Sequence, residues 1–91
     1  MELADIENII HKNHMLSKNG IEKIGIFGSF ARGEEGNDID ILIEKNSNIE
    51  SILSFKNELE ERTKKKVDIV LEKYANPIIL LRAKKEIVYV S

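Results

Sequence analysis

IGIFGSFARGEEGNDIDILIE, residues 24–44, decides the fold. The run IEKIGIF (21–27) is rich in β-branched and aromatic side chains and reads as a buried strand that stops at Gly28-Ser29. An alternating run, DIDILIE (38–44), then opens with two acids. Alternation places Ile39, Ile41 and Ile43 on one face of a strand and Asp38, Asp40 and Leu42 on the other. About ten residues separate Phe27 from Asp38, too few for a parallel crossover, so the two strands are expected to be antiparallel neighbours. The Gly28-Ser29 corner then lies beside the start of the second strand and its carboxylates. Stability gives no reason for such a design, because clustered carboxylates repel and lose solvation.

Outward from this stretch, the elements alternate in type. Leu3, Ile6, Ile9, Ile10 and Leu16 recur near helical spacing and Asn19-Gly20 supplies a stop, which predicts a helix over 3–18. Ser29 to Glu34 suits one helical turn with Ser29 as N-cap, and GEEGN (33–37) is turn chemistry. Ser47-Asn48-Ile49-Glu50 matches a capping box, with Ile49, Ile52, Leu53 and Leu59 marking a helix to about Thr63. Lys64-Lys65-Lys66 reads as a solvated helix end. KVDIVLE (66–72) is a third strand, with Val67, Ile69 and Leu71 opposite Asp68 and Val70. Asn76-Pro77 starts a helix to about Lys84, and IVYV (87–90) is a last strand. IILL (78–81) reads as core, with the alternative that part of it is a partner surface, and Tyr74 and Tyr89 read as packing residues rather than acceptors. More than twenty residues and a helix join the second and third strands, so that connection is a right-handed parallel crossover. It carries Asp68 to the sheet end that holds Asp38 and Asp40. The expected fold is α/β (α+β): one domain over 1–91, with a small mixed sheet of about four strands and helices mainly on one face.

Composition narrows the function classes. Ninety-one residues, 42% hydrophobic and 33% charged, describe one ordinary folded domain with a modest core, which favours assembly as a hetero-oligomer or homo-oligomer. A net charge of −2 argues against a broad electrostatic hold on nucleic acid, so no direct nucleic-acid binding is expected. There is no cysteine, hence no disulfide, thiolate nucleophile or cysteine-zinc site. The opening MELADIENII carries acids where a signal peptide wants Lys or Arg, and no apolar run approaches the ~20 residues of a membrane span. A cytoplasmic protein with no membrane contact is the expectation.

The acids suit a hard divalent cation. Mg²⁺ takes one or two carboxylates directly and accepts further oxygens from substrate phosphates. Two such ions with a third carboxylate suit in-line displacement at phosphorus, which makes Asp38, Asp40 and Asp68 the candidate metal-binding and catalytic residues. Gly28 lets a backbone N–H approach a phosphate with no Cβ in the way, and Ser29 adds a hydroxyl at the start of its turn. Arg32 either reaches a phosphate oxygen or pairs with Glu34, Glu35 or another surface carboxylate. His11 and His14 have no third ligand nearby in sequence and read as a polar helix face, and Glu44 as an ordinary strand-end charge.

Gly28-Ser29-Phe30-Ala31-Arg32-Gly33 followed by Asp38-Ile39-Asp40-Ile41-Leu42-Ile43 resembles the signature of the DNA polymerase beta-like nucleotidyltransferase superfamily. The chain's size points within it to the minimal nucleotidyltransferases, the MntA-type antitoxins. The resemblance covers nearly the whole chain, with Asn37 standing where Ser is usual and a connector from Ser29 to Asp38 shorter than in most members. It implies Mg²⁺ as cofactor, ATP as substrate, a helical HEPN-domain toxin as partner, and transfer of AMP to a tyrosine of that toxin. By the same resemblance Asp38 and Asp40 ligate metal, Asp68 completes the site and helps deprotonate the acceptor hydroxyl, and Gly28 and Ser29 hold the triphosphate. The alternative is a non-catalytic antitoxin or nucleotide-binding subunit that neutralises its partner by binding alone.

Overall fold

Alternating aliphatic residues build the sheet. The computed structural model describes residues 1–45 and 48–91. Its order is α1 (Leu3–Lys12), β1 (Ile24–Phe27), β2 (Asp38–Ile43), α2 (Ile49–Thr63), β3 (Lys66–Leu71), α3 (Pro77–Glu86) and β4 (Val88–Val90), with 3₁₀ turns at Ser17–Asn19 and Glu72–Tyr74. The sheet has four strands in the order β3-β2-β1-β4. β1 runs antiparallel to β2 and to β4, and β2 is parallel to β3, as the connector lengths require. Phe27 pairs with Asp40, so the end of β1 lies against the start of β2.

Ile39, Ile41 and Ile43 are buried with Ile24, Ile26 and Val67, in one cluster with Ile6 and Ile10 of α1 and Ile52, Phe55 and Leu59 of α2. Each such side chain contributes about 1.5–3 kcal/mol on burial, which makes this face the main source of stability. Glu60 ties α2 to the sheet: its Oε2 accepts from Val67 N–H at 2.9 Å.

Several elements differ from expectation. α1 stops at Lys12, because the Asn13 side chain donates to the Ile9 carbonyl at 2.8 Å and His14 takes a left-handed φ of 51°. The rest of the expected helix becomes turns at 13–16 and the 3₁₀ turn Ser17–Asn19, closed by Gly20 at φ 66°. His11 and His14 therefore do not share a helix face, and His11 Nε2 lies 3.1 Å from the Ser91 carbonyl oxygen. β1 begins at Ile24 rather than residue 21, where pairing with Val90 starts. The N-cap of α2 is Asn48, whose side chain accepts from Glu50 N–H and Ser51 N–H; Ser47, the expected cap, lies outside the described residues. IILL is not core: Ile78 is 63% and Leu81 62% exposed, and within α3 only Ala83 is buried. Tyr74 is 77% exposed and does not pack as expected, whereas the Tyr89 ring packs under Lys23, whose Nζ lies 4.3 Å from its centroid. Among the described residues no helix is long and apolar enough to cross a membrane.

α1 and α2 cover the aliphatic face, whereas α3 stands on the acidic side beside β1. It buries Ala83 there, and Leu42 on that same face is fully buried. Gly25, on β1, makes room for this side, since a Cβ there would run into the Ile87 side chain.

Candidate functional site

Antiparallel pairing of β1 with β2 sets the geometry. Gly28 follows the last residue of β1 and turns the chain with φ 76°. A Cβ on Gly28 would collide with Asp40 Oδ2 and lie 3.2 Å from its Cγ, so the missing side chain is what lets this corner meet the acid. The next residues form a single turn, closed by Arg32 N–H to the Gly28 carbonyl at 3.2 Å and Glu34 N–H to the Ser29 carbonyl at 2.9 Å. The capping position is thus taken by Gly28, one residue before the expected Ser29. Gly36 returns close to Ser29, where a Cβ would strike the Ser29 hydroxyl.

These residues line a cleft of about 650 Å³ that holds Gly28, Ser29, Arg32, Asn37, Asp38 and Asp40. Its far wall is α3, through Ile79, Arg82, Ala83 and Glu86. Five of the six predicted site residues therefore share one cavity. Asp68 is not in its lining; it pairs with Asp40 across the parallel ladder, and its carboxylate lies 3.6 Å from Lys66 Nζ. Among the described residues no three His, Cys, Asp or Glu side chains form a metal cage. The donor set on offer is the Asp38–Asp40 pair, with Asp68 behind it.

Burial holds the Asp40 carboxyl above the usual carboxylate range, and the negative charges of Asp68 and Asp38 push the same way. The nearby Arg32 guanidinium opposes them. A group in this setting gains from a cation or a proton.

Arg32 does pair with Glu34, as one of the sequence alternatives has it, with Nε and Nη2 each donating at 3.2 Å. Its second partner is another carboxylate, Glu86, which the sequence does not single out: Nη1 donates to Glu86 Oε2 at 2.9 Å and to Oε1 at 3.1 Å. Glu86 Oε1 also accepts from Gly28 N–H at 3.1 Å. Nothing local in the sequence marks Glu86 or Arg82 as site residues. The only available signal was that a helix following β3 must pack against one side of the sheet or the other.

Residues 6–90 match the family described as Polymerase beta, Nucleotidyltransferase. A protein adenylyltransferase MntA of Thermococcus cleftensis is 37% identical over 99% of this chain and 97% of its own length. A solved toxin-antitoxin structure with AMP-PNP superposes with a TM-score of 0.70 at 24% identity, over 91% of this chain and 70% of that one. A tri-AMPylated HEPN toxin of Shewanella oneidensis in complex with MNT antitoxin superposes with a TM-score of 0.65 at 22% identity, over 92% of this chain and 67% of that one. The family match spans nearly the whole chain, and the chain belongs to the polymerase beta nucleotidyltransferase family.

Proposed function

We propose that this chain, as one cytoplasmic domain, is a protein adenylyltransferase that transfers AMP from ATP to a tyrosine hydroxyl of a HEPN-domain toxin and so silences it. The observation that carries the proposal is the contact between the Gly28 corner and Asp40, which sets a side-chain-free backbone against a carboxylate in one cleft. The relative named as a protein adenylyltransferase, and the neighbouring HEPN–MNT and AMP-PNP structures, support the substrate and the partner.

Mg²⁺ fits the donors: Asp38 and Asp40 offer hard oxygens in the cleft, and a carboxyl held up by burial and like charge gains from a cation. When bound, Mg²⁺ supplies charge neutralisation at the transferring phosphoryl group. Gly28 and Ser29 orient the phosphates, and Arg32 offers a guanidinium to a phosphate oxygen. The acceptor oxygen bonds to the α-phosphorus as the bond to the β-phosphate oxygen breaks, so pyrophosphate leaves. Asp68, level with Asp40 on the neighbouring strand, helps take up the hydroxyl proton. No covalent enzyme intermediate is needed, since positioning and electrostatics supply the rate. Ile79, 49% exposed on the α3 wall of the cleft, gives a protein acceptor apolar surface to rest on.

The test is transfer of α-labelled ATP with Mg²⁺ into a HEPN toxin, with wild type beside the Asp38→Asn, Asp40→Asn double variant. Label that appears only with wild type is the expected result. Equal labelling by the double variant overturns the site assignment. Neutralisation of the toxin by the double variant, with no label from either protein, points instead to an antitoxin that acts by binding alone.

A further inference from the structure

Glu86 holds the two groups that the proposed function assigns to phosphate. Its Oε1 takes the Gly28 N–H, and both of its oxygens take Arg32 Nη1. Glu34 takes the Nε and Nη2 donors of the same guanidinium. A carboxylate and a phosphate look alike to such donors, because both present anionic oxygens at hydrogen-bond distance.

Local energetics do not explain why an acid stands there. Glu86 is the last residue of α3, and the preceding Lys84 and Lys85 are the charges that the negative end of a helix dipole favours. An acid at that end is disfavoured unless something outside the helix holds it. Here the holders come from a loop 54 to 58 positions earlier in the chain. Glu86 and its donors belong to the cleft rather than to the helix.

We infer that Glu86 is an internal competitor for the phosphate seat of this cleft, and that a nucleoside triphosphate binds by displacing its carboxylate from Gly28 N–H and Arg32. The inference rests on the proposed nucleotide site and adds a residue that sets its affinity. With Glu86 in place, the Gly28 corner and Arg32 are held in position, and a ligand must bring enough anionic oxygen, and enough cation, to exchange one charge-assisted set of bonds for another. A single phosphate bargains poorly against that; a Mg²⁺-bound triphosphate does better.

Titration calorimetry of the full chain with AMP-PNP and Mg²⁺ tests this, on wild type, Glu86→Gln, Glu86→Ala and Glu34→Gln. Removing a charged competitor should tighten AMP-PNP about tenfold in both Glu86 variants. Glu34→Gln removes the same charge from Arg32 but leaves Gly28 untouched, and should tighten binding clearly less. Unchanged or weaker binding in the Glu86 variants, with wild type binding, overturns the inference and leaves the nucleotide site standing. Equal tightening by Glu34→Gln also overturns it, since net charge alone would then account for the gain. Absence of AMP-PNP binding in every protein overturns the nucleotide site and the inference together. In wild type, the Gly28 amide resonance should shift as AMP-PNP binds. A stationary Gly28 amide during binding refutes displacement even if the Glu86 variants do not fold.

Discussion

Gly28→Ala separates the cost of backbone from the cost of function at this site. Gly28 has φ 76°, a region that costs an L-residue roughly 1–2 kcal/mol. The new Cβ would also overlap Asp40 Oδ2, 3.2 Å from Cγ and 3.4 Å from Cβ. Oδ2 is the free end of a half-exposed side chain, so Asp40 can rotate aside for a further ~0.5–1.5 kcal/mol. The sum is about 1.5–3.5 kcal/mol. For a domain of this size it lowers Tm by roughly 6–28 °C, at about 4–8 °C per kcal/mol. Gly20→Ala is the matched control, with φ 66° and nothing within 4 Å of the added Cβ. It carries the backbone cost alone, about 1–2 kcal/mol. The function should respond far more sharply, because a displacement of ~1 Å at a reacting group costs on the order of 100-fold. The assays are thermal unfolding monitored by circular dichroism and AMP transfer in the presence of Mg²⁺, on both variants. A Gly28→Ala protein that transfers AMP as well as Gly20→Ala does would refute the contact between the corner and Asp40.

Two further predictions concern stability. Glu60 has its carboxyl held below the usual range, chiefly by the Val67 N–H bond and next by Lys56, so its contribution is present above the unfolded value of 4.5 and is lost as pH falls through the lowered folded value. Glu60→Gln should therefore weaken the fold at pH 7, and its urea midpoint should converge on that of wild type in acid; a gap that widens on acidification contradicts the pairing. Asn48→Ala removes the side-chain acceptor for Glu50 N–H and Ser51 N–H and should cost about 1 kcal/mol by urea titration, whereas an unchanged midpoint would mean that the cap contributes nothing.

Much of the site was legible along the chain because its parts are local or nearly so. Alternation in Asp38–Ile43 and Lys66–Leu71 set which face carries acid, since a strand repeats every two residues whatever surrounds it. The short link from Phe27 to Asp38 forced antiparallel pairing, and with it the meeting of Gly28 with Asp40. Helix ends were less legible. Aliphatic spacing alone carries α1 through Leu16, but the Asn13 side chain competes for the Ile9 carbonyl and ends the helix at Lys12. IILL reads as core by composition, yet a helix on a narrow four-stranded sheet buries only the stripe around Ala83.

By itself, then, the sequence determined the strands, their faces and the Gly28–Asp40 corner, because each rests on period or on connector length, while the family showed through the resemblance of its Gly-Ser and Asp-x-Asp motifs. Only the tertiary structure decided that α3 walls the acidic side, that Asp68 stands behind the cleft rather than in its lining, and that Glu86 takes the Gly28 N–H and Arg32. The physical reason is range. Glu86 and Gly28 are 58 positions apart, and no local pattern records which side of the sheet a connecting helix will cover.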